Sequence, residues 1–220
     1  MICILFVGIY IILRCERNII SDMKEELLRK LIDGSYLCAC NHGFHEEDLS
    51  IRHSLMLIVT EISGAVEADR MCRHANIESY EDEIRYGADV YDKDTRSPFE
   101  KYIKDTVEDE LADVCIRIFD LCGMLGIVPR VFVDDDIRET FDELFGKMSF
   151  CERMFELSYQ FTRYDADSDL DDFSFMRDNL GVALSFLMCM CESMGIDIMN
   201  HIELKMRYNE MRPYKNGKKY

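Results

Sequence analysis

The stretch from Val107 to Ile127 reads VEDELADVCIRIFDLCGMLGI and has the pattern of a long helix. Its acids Glu110 and Asp113 are three positions apart, which on a helix places both carboxylates on one face, about 60° apart. Its apolar residues recur at helical spacing and predict a side that packs against a core: Leu111, Val114, Ile118, Leu121 and Leu125. The stretch therefore predicts a core helix with a pair of acids near its start.

A second helix is predicted from Leu55 to Arg70, LMLIVTEISGAVEADR, with Glu61 in its middle. The neighbours of Glu61 are mostly apolar, and burying a carboxylate among them is unfavourable unless it is paired or holds a metal. The alternative is a partly exposed glutamate at the edge of the helix. The sequence leaves both interpretations open, and the question is whether Glu61 meets the acids of the first helix.

The composition favours an all-α protein. The chain has 220 residues, of which 48% are hydrophobic, and it contains only three prolines and eleven glycines to interrupt helices. The segment from Val128 to Asp134 is the one plausible β-strand. Further helical pattern is predicted from Met23 to Gly34, around Glu78 to Tyr86 and from Ile137 to Arg163.

The net charge of −17 argues against nucleic acid as a partner, because phosphate binding needs a broad basic surface. It is compatible with an enzyme that holds cations and handles phosphorylated ligands through them, or simply with a solvated acidic surface. None of the ten cysteines is predicted to bind zinc, because the pairs Cys38–Cys40 and Cys189–Cys191 lack the spacing of zinc ligands. Most of the others lie in apolar helical contexts, which predicts buried thiols in a reducing, cytoplasmic compartment.

Residues 1–22 form an extension that begins with an apolar run from Met1 to Leu13. Thirteen residues are too few to span a bilayer, which needs roughly 20. A short membrane anchor, a buried segment and a start site placed too early at Met1, with Met23 as the true start, all remain open. The last is preferred, so a membrane partner is not expected. The acidic segment from Tyr164 to Asp172 is predicted to be a solvated linker.

The sequence from Asp178 to Ile196 repeats that from Asp109 to Ile127 without gaps. Five positions are identical, but Asn179 stands in place of Glu110 and Val182 in place of Asp113. This pattern predicts two tandem helical hairpins that form a four-helix unit. The active half is expected at about residues 35–127, and a degenerate half at about residues 137–212.

The C-terminal tail carries the one basic patch of this acidic chain. Lys205, Asn209 and Arg212 are four and three positions apart, which places them on one helical face before Pro213 ends the helix. Such a face suits an anion such as a triphosphate, or it complements the helix dipole. Lys104 lies one turn before the acids of the first helix and is a further candidate phosphate contact.

Three stretches together resemble the MazG-like nucleotide pyrophosphohydrolases of the all-α NTP pyrophosphatase superfamily. They are LMLIVTEISGAVEADR from Leu55, EDELAD from Glu108 and KMRYNEMRPYKNGK from Lys205. The family pattern is E-x-x-E on one helix and E-x-x-D on the next. The resemblance implies a four-helix-bundle-like fold over residues 23–220. It also implies hydrolysis of a nucleoside triphosphate to the monophosphate and pyrophosphate.

The resemblance assigns the metal-binding and catalytic roles to Glu61, Glu110 and Asp113, which would hold Mg²⁺, with Mn²⁺ as an alternative metal. The second acid of the first pair falls at Gly64, which supplies no ligand. The alternative function is therefore a weakened or inactive nucleotide-binding protein. A third hypothesis is a membrane-tethered interaction protein.

The resemblance also implies substrate contacts and an assembly. The residues expected to contact substrate are Lys104, Lys205, Asn209 and Arg212, and the loops at Asn41 to His45 and Ser79 to Tyr91 would select the base. A homodimer is expected from the family, whereas the internal repeat would allow a monomer.

Overall fold

The computed structural model describes residues 25–86, 96–164 and 173–217. Every regular element in these ranges is helical, so the prediction of an all-α helical bundle is confirmed. The α-helices are α1 Glu25–Asn41, α2 Ile51–Arg70, α3 Ile77–Tyr86, α4 Arg96–Tyr102, α5 Val107–Leu125, α6 Asp135–Phe145, α7 Phe150–Thr162, α8 Ser174–Ser193 and α9 Ile198–Glu210. A short 3-10 turn follows at Tyr214–Gly217.

Helix α5 is the centre of the bundle and is the helix predicted from Val107 onward. Thr106 caps it by accepting a hydrogen bond from the backbone N–H of Asp109, and Gly126 ends it in the left-handed conformation. Helices α1, α2, α8 and α9 pack around it. Its apolar face is buried as the spacing predicts, and only Leu125 among the five predicted positions lies at the edge of the core.

The remaining helices join the bundle through α8, α2 and α9. Helices α6 and α7 pack against α8, α8 packs against α5, and α7 also packs against α2. Helices α3 and α4 form a smaller cluster with α9, in which the ring of Phe99 stacks on Tyr208 with centroids 4.4 Å apart. The acid-bearing helices α2 and α5 therefore pack against each other and against further helices, which fix their relative position.

The prediction that the first helix ends at Gly34 is wrong. Helix α1 continues through Gly34 to Asn41, and the turn comes at Gly43, where φ is 79°. The glycine serves close packing instead, because a Cβ on Gly34 would lie 2.8 Å from Cε of Met206 on α9. A glycine at a crossing point between two helices has the same sequence signature as a glycine that ends a helix.

The one plausible β-strand, Val128 to Asp134, is not a strand, because this segment is an irregular connector between α5 and α6. Its backbone bonds to a side chain, since the N–H of Phe132 donates to Oγ of Ser185 at 2.8 Å. Gly181 lets the connector cross α8, where a Cβ would lie 2.1 Å from the carbonyl oxygen of Arg130. The short helix predicted near Glu78 is confirmed as α3.

The amphipathic pattern predicted from Ile137 to Arg163 is two helices, α6 and α7. They are separated by a turn that ends at Ser149, which forms a capping box with Glu152. The predictions for residues 1–22 and 165–172 lie outside the described residues. Within the described ranges, no single helix is long and apolar enough to cross a membrane, and only α8 and α9 together meet those criteria, across a 112° bend.

Candidate metal centre

Glu61, Glu110 and Asp113 meet between α2 and α5. One carboxylate oxygen from each lies within 4.8 Å of the other two, and all three side chains are partly buried. The local cause is helix geometry, since Glu110 and Asp113 share the face of α5 that packs against α2. The structure thus brings together the three acids that the sequence singled out.

Gly64 lies directly opposite Glu110. A Cβ built on Gly64 would stand 2.3 Å from Oε2 of Glu110 and 2.8 Å from its Cδ. The carboxylate of Glu110 therefore occupies the space that a side chain at position 64 would need. The missing fourth acid of the family pattern does not leave a gap in the cluster.

Lys205 is part of this cluster rather than a free contact for phosphate. Its ammonium, on α9, lies 2.8 Å from Oδ1 and 2.9 Å from Oδ2 of Asp109, and 2.8 Å from Oδ2 of Asp113. Both Lys205 and Asp109 are almost fully buried. Asp109 was not singled out from the sequence, although the run EDE at Glu108 to Glu110 offered three consecutive carboxylates.

Arg117 is a second cation that sequence reasoning missed. Its Nε donates to Oε1 of Glu61 at 3.1 Å, and its guanidinium lies over the ring of Phe44 with a separation of 5.9 Å. The available signal was spacing, because Arg117 follows Asp113 by four positions and so projects from the same face of α5.

The electrostatics of the cluster follow from burial and crowding. Burial raises the pKa of Glu110 to about 7, and the negative charges of Asp113, Asp109 and Glu61 add to the shift. Burial likewise raises the pKa of Asp109 to about 6, although the ammonium of Lys205 opposes the rise. Burial alone would lower the pKa of Lys205, but the attraction of Asp113 and Asp109 outweighs it and raises that pKa.

The residues present fit a divalent cation. Glu61, Asp109, Glu110 and Asp113 supply four carboxylates against two cations, Lys205 and Arg117, so the fully ionised cluster carries two surplus negative charges. Within the described part of the chain, Glu110 makes no hydrogen bond or ion pair that would satisfy it. Carboxylate oxygens at this separation are the ligands that Mg²⁺ and Mn²⁺ take in proteins.

Another grouping of acids, Asp105, Asp109 and Glu110, is less suited to a metal. Asp105 pairs with Lys104 at 2.6 Å, and its backbone N–H donates to Oδ2 of Asp109. Asp109 is also held by Lys205. Its oxygens are thus already engaged within the protein, which leaves the trio of Glu61, Glu110 and Asp113 as the candidate site.

A cavity of about 80 Å³ opens beside Glu61 and Asp113. Asn209 and Arg212, two of the predicted substrate contacts, also line it, as do Arg117 and Asp120. Lys104 does not line it, because its ammonium is turned to Asp105. The cavity is smaller than the roughly 300 Å³ of typical ligand sites, so a nucleotide would have to extend beyond it.

The rim of the cavity is fixed by contacts between the loop after α1 and the C-terminal segment. The ring nitrogens of His42 lie 2.8 Å from the carbonyl oxygen of Cys38 and 2.9 Å from that of Arg212. The N–H of Lys215 donates to the carbonyl of His42 at 2.8 Å. A Cβ on Gly43 would lie 2.2 Å from the ring of Tyr214, so only glycine permits this approach.

The loop at Asn41 to His45 borders the cavity, as the prediction about base selection requires. His45 Nε2 lies 2.6 Å from Oδ1 of Asp120, and its ring lies 4.9 Å from that of Tyr36. The other predicted loop, Ser79 to Tyr91, is described only as far as Tyr86, and that part belongs to α3 and does not line the cavity.

The chain matches no protein-family model, no curated protein and no solved structure. Function is therefore inferred from the residues of the site itself: a carboxylate trio, the buried cation Lys205, the partly buried cation Arg117, and a cavity that Arg212 also lines.

Proposed function

We propose that this protein is a Mg²⁺-dependent pyrophosphohydrolase that converts a nucleoside or deoxynucleoside triphosphate to the monophosphate and pyrophosphate. The observation that carries the proposal is the meeting of Glu61, Glu110 and Asp113 within 4.8 Å beside a cavity that Arg212 also lines. A site for a metal-bound triphosphate needs carboxylates that bind the metal cation and a cationic side chain that binds the phosphates.

The residues divide the work as follows. Glu61, Glu110 and Asp113 would hold Mg²⁺, which when bound supplies positive charge to the phosphate oxygens and stabilises the charge that develops during hydrolysis. Arg212 and Asn209 line the same cavity as Glu61 and Asp113 and would bind the phosphates or the sugar. Lys205 pairs with Asp109 and Asp113 and would hold both carboxylates in place.

In the proposed reaction a water molecule attacks the α phosphorus, and the bond from this phosphorus to the bridging oxygen breaks. The water's proton passes to a carboxylate oxygen of the cluster that does not hold the metal. The pyrophosphate leaves with the bridging oxygen, and the monophosphate keeps the oxygen of the water. Because burial excludes bulk water from much of this cluster, its charges act strongly on the bound phosphates.

The alternative is a protein that binds nucleotide without turning it over. Two observations favour it: Gly64 replaces a ligand of the family pattern, and the cavity of about 80 Å³ is small for a nucleotide. A carboxylate trio can still bind Mg²⁺ when water fills the remaining positions, but with lower affinity.

The deciding experiment measures pyrophosphate release from a panel of nucleoside triphosphates and deoxynucleoside triphosphates with Mg²⁺ or Mn²⁺. The Glu61→Gln variant removes one carboxylate of the trio. The Glu67→Gln variant is the matched control, since Glu67 lies on the same helix but is exposed and pairs with Arg70. A rate of pyrophosphate release that falls at least 100-fold in Glu61→Gln and is unchanged in Glu67→Gln supports the proposed enzymatic activity.

No release above background with any substrate, together with saturable nucleotide binding, would favour the non-catalytic alternative. A protein that neither releases pyrophosphate nor binds nucleotide would refute both proposed functions.

A cytoplasmic homodimer remains the proposed setting and assembly, with a monomer as the alternative. Sedimentation of the full chain distinguishes the two assemblies.

A further inference from the structure

Helices α2 and α7 correspond position by position at a separation of 99 residues. Ser50 caps α2 and Ser149 caps α7, each by accepting a hydrogen bond from the backbone N–H three residues on. Three buried positions then coincide: Leu55, Ile58 and Ile62 of α2 match Met154, Leu157 and Phe161 of α7. The two helices thus share their start and their core-facing side.

Helices α5 and α8 correspond in the same way at a separation of 69 residues. Gly126 and Gly195 both have positive φ, at 66° and 73°. The residue after each glycine closes the same turn, since Ile127 N–H donates to Cys122 O at 3.0 Å and Ile196 N–H to Cys191 O at 2.8 Å. The equivalent helices also pack against each other, α2 on α7 and α5 on α8.

The two correspondences map the metal centre onto a second cluster. They pair Glu61 with Gln160, Glu110 with Asn179 and Asp113 with Val182. Extended by one residue beyond the end of α7, the first correspondence also pairs Gly64 with Arg163, the C-cap residue of α7.

The structure brings the second set together. Arg163 Nη2 donates to Oε1 of Gln160 at 2.9 Å and to Oδ1 of Asn179 at 2.7 Å. Asn179 Nδ2 donates to the backbone oxygen of Gln160 at 2.5 Å. Gln160, Asn179 and Val182 are buried.

We propose that this second cluster is a counterpart of the metal centre in which the guanidinium of Arg163 takes the place of the metal cation. In the first cluster, carboxylates from α2 and α5 outnumber their two cations, Lys205 and Arg117, and would bind a metal ion as a further cation. In the second, the neutral amide oxygens of Gln160 and Asn179 converge on the covalently attached cation Arg163. The identity of the metal rests on the proposed function, but the correspondence of the two clusters does not.

Gly64 and Arg163, at the equivalent positions, each suit the residue opposite them. At Gly64 the absence of a side chain leaves room for the carboxylate of Glu110. At the matching position the side chain of Arg163 reaches the amide of Asn179, the residue that matches Glu110. Val182 offers no charge where Asp113 does, so the second cluster has no carboxylate with which to attract a metal. Of the two clusters, only the one in the first half should therefore bind a metal ion.

The first test is a double-mutant cycle on the natural chain with Arg163→Met, Asn179→Leu and the combined variant. Each single change is expected to lower the urea midpoint of unfolding, because it leaves a buried polar partner unsatisfied. The combined variant should be shifted by clearly less than the sum of the two single shifts. Additive shifts would overturn the proposal, since the two side chains would then not act as one unit.

The second test restores the first half's residues in the second half. The variant Q160E/R163G/N179E/V182D should bind one more Mn²⁺ per chain than the natural protein, measured by electron paramagnetic resonance of free Mn²⁺. The matched control Q160E/N179E/V182D keeps Arg163 and should bind no additional Mn²⁺, because the guanidinium occupies the position.

An equal gain in both variants, or no gain in the folded four-residue variant, would contradict the substitution of arginine for metal. If that variant fails to fold, the double-mutant cycle decides the question alone. A natural protein that binds no Mn²⁺ would refute the proposed function, but a gain of one ion in the four-residue variant would still support the correspondence.

Discussion

Glu110 occupies the space next to Gly64 so closely that a single added Cβ would lie 2.3 Å from its carboxylate oxygen. In this arrangement, position 64 has no space for a further acid. The proposed centre has three carboxylates, and a larger residue at position 64 would displace the carboxylate of Glu110.

Gly64→Ala should weaken metal binding with little loss of stability. The methyl group would displace only the flexible end of Glu110, so the fold can absorb the change, whereas the oxygen positions of the trio cannot stay as they are. We expect Mn²⁺ affinity to fall about tenfold, equivalent to about 1.4 kcal/mol. Titration with Mn²⁺ measures this, and thermal unfolding without metal checks the fold.

Ser63→Ala is the control, because Ser63 is exposed on the same helix and its hydroxyl bonds only to the carbonyl of Val59. Its Mn²⁺ affinity should match that of the natural protein. Tighter binding in Gly64→Glu than in the natural chain would contradict this account, since it would mean that a fourth acid can be accommodated.

Lys205→Met should destabilise the protein strongly, by about 3–5 kcal/mol, because it leaves the buried Asp109 and the partly buried Asp113 without their cation. A second change, Asp109→Asn, should recover part of this loss by removing one of the unpaired charges. Urea unfolding in the absence of metal measures both effects.

Lys101→Met provides the comparison. Lys101 pairs with Glu83 on the exposed surface, where such pairs contribute about 0–1 kcal/mol. Equal losses in the two lysine variants, or no recovery on adding Asp109→Asn, would show that the ammonium of Lys205 is not what holds the acids together.

Glu110→Gln should stabilise the metal-free protein at alkaline pH while it removes activity. The folded pKa of Glu110 is raised from 4.5 to about 7, so the natural protein loses stability as pH rises through this range. Such a shift is equivalent to roughly 3 kcal/mol for a fully buried group, and we expect about half because the side chain is partly exposed. The variant should therefore be more stable at pH 8.5 and equal at pH 4.

Thermal melts across this pH range provide the measurement. Mg²⁺ should stabilise the natural protein at pH 8.5 and have little effect on the variant, because the ligand is gone. A variant that is less stable than the natural protein at pH 8.5 without metal would contradict the pKa shift and its cause.

Arg212→Gln should weaken substrate binding more than it slows the chemical step. Arg212 lines the cavity beside Asp113, and its backbone contact with His42 does not depend on the side chain. We expect the KM for a triphosphate, or the Kd if there is no turnover, to rise about tenfold with kcat changed less. Lys104→Gln should leave both unchanged, because Lys104 faces Asp105. An effect of equal size in both variants would mean that the cavity is not the phosphate site.

The sequence predicted those parts of the centre that follow from local spacing. Glu110 and Asp113 share a face because they are three positions apart, and that relation holds wherever the helix packs. The apolar stripe of α5 and the all-α class follow from the same periodicity. The end of α1 could not be predicted this way, because Gly34 packs closely against Met206, which lies on a helix far along the chain.

The parts that were missed depend on distant contacts. Lys205 lies 96 positions from Asp109, and its place inside the cluster depends on how α9 crosses α5. A helical face of Lys205, Asn209 and Arg212 is visible in the sequence, but which of the three turns inward is not. Arg117 and Glu61 are likewise 56 positions apart, so their pairing needed the fold.

His201 should make the protein less stable in mild acid. It is buried on α9, its Nδ1 has no partner in the described part of the chain, and burial lowers its pKa from 6.5 despite the nearby charges of Glu108 and Asp197. A histidine with a lowered folded pKa contributes stability above pH 6.5 that is lost as pH falls through the folded pKa. This direction is opposite to that of Glu110.

His201→Leu should therefore show a smaller loss of melting temperature between pH 7 and pH 5 than the natural protein, because leucine binds no proton in either state. Ser63→Ala is the control, since Ser63 is exposed on α2 and carries no titratable group, and it should keep the natural slope. Parallel curves for His201→Leu and the natural protein would mean that the buried imidazole does not limit stability in acid. A steeper fall in the leucine variant would mean that His201 is stabilised by protonation, through the carboxylates of Glu108 and Asp197.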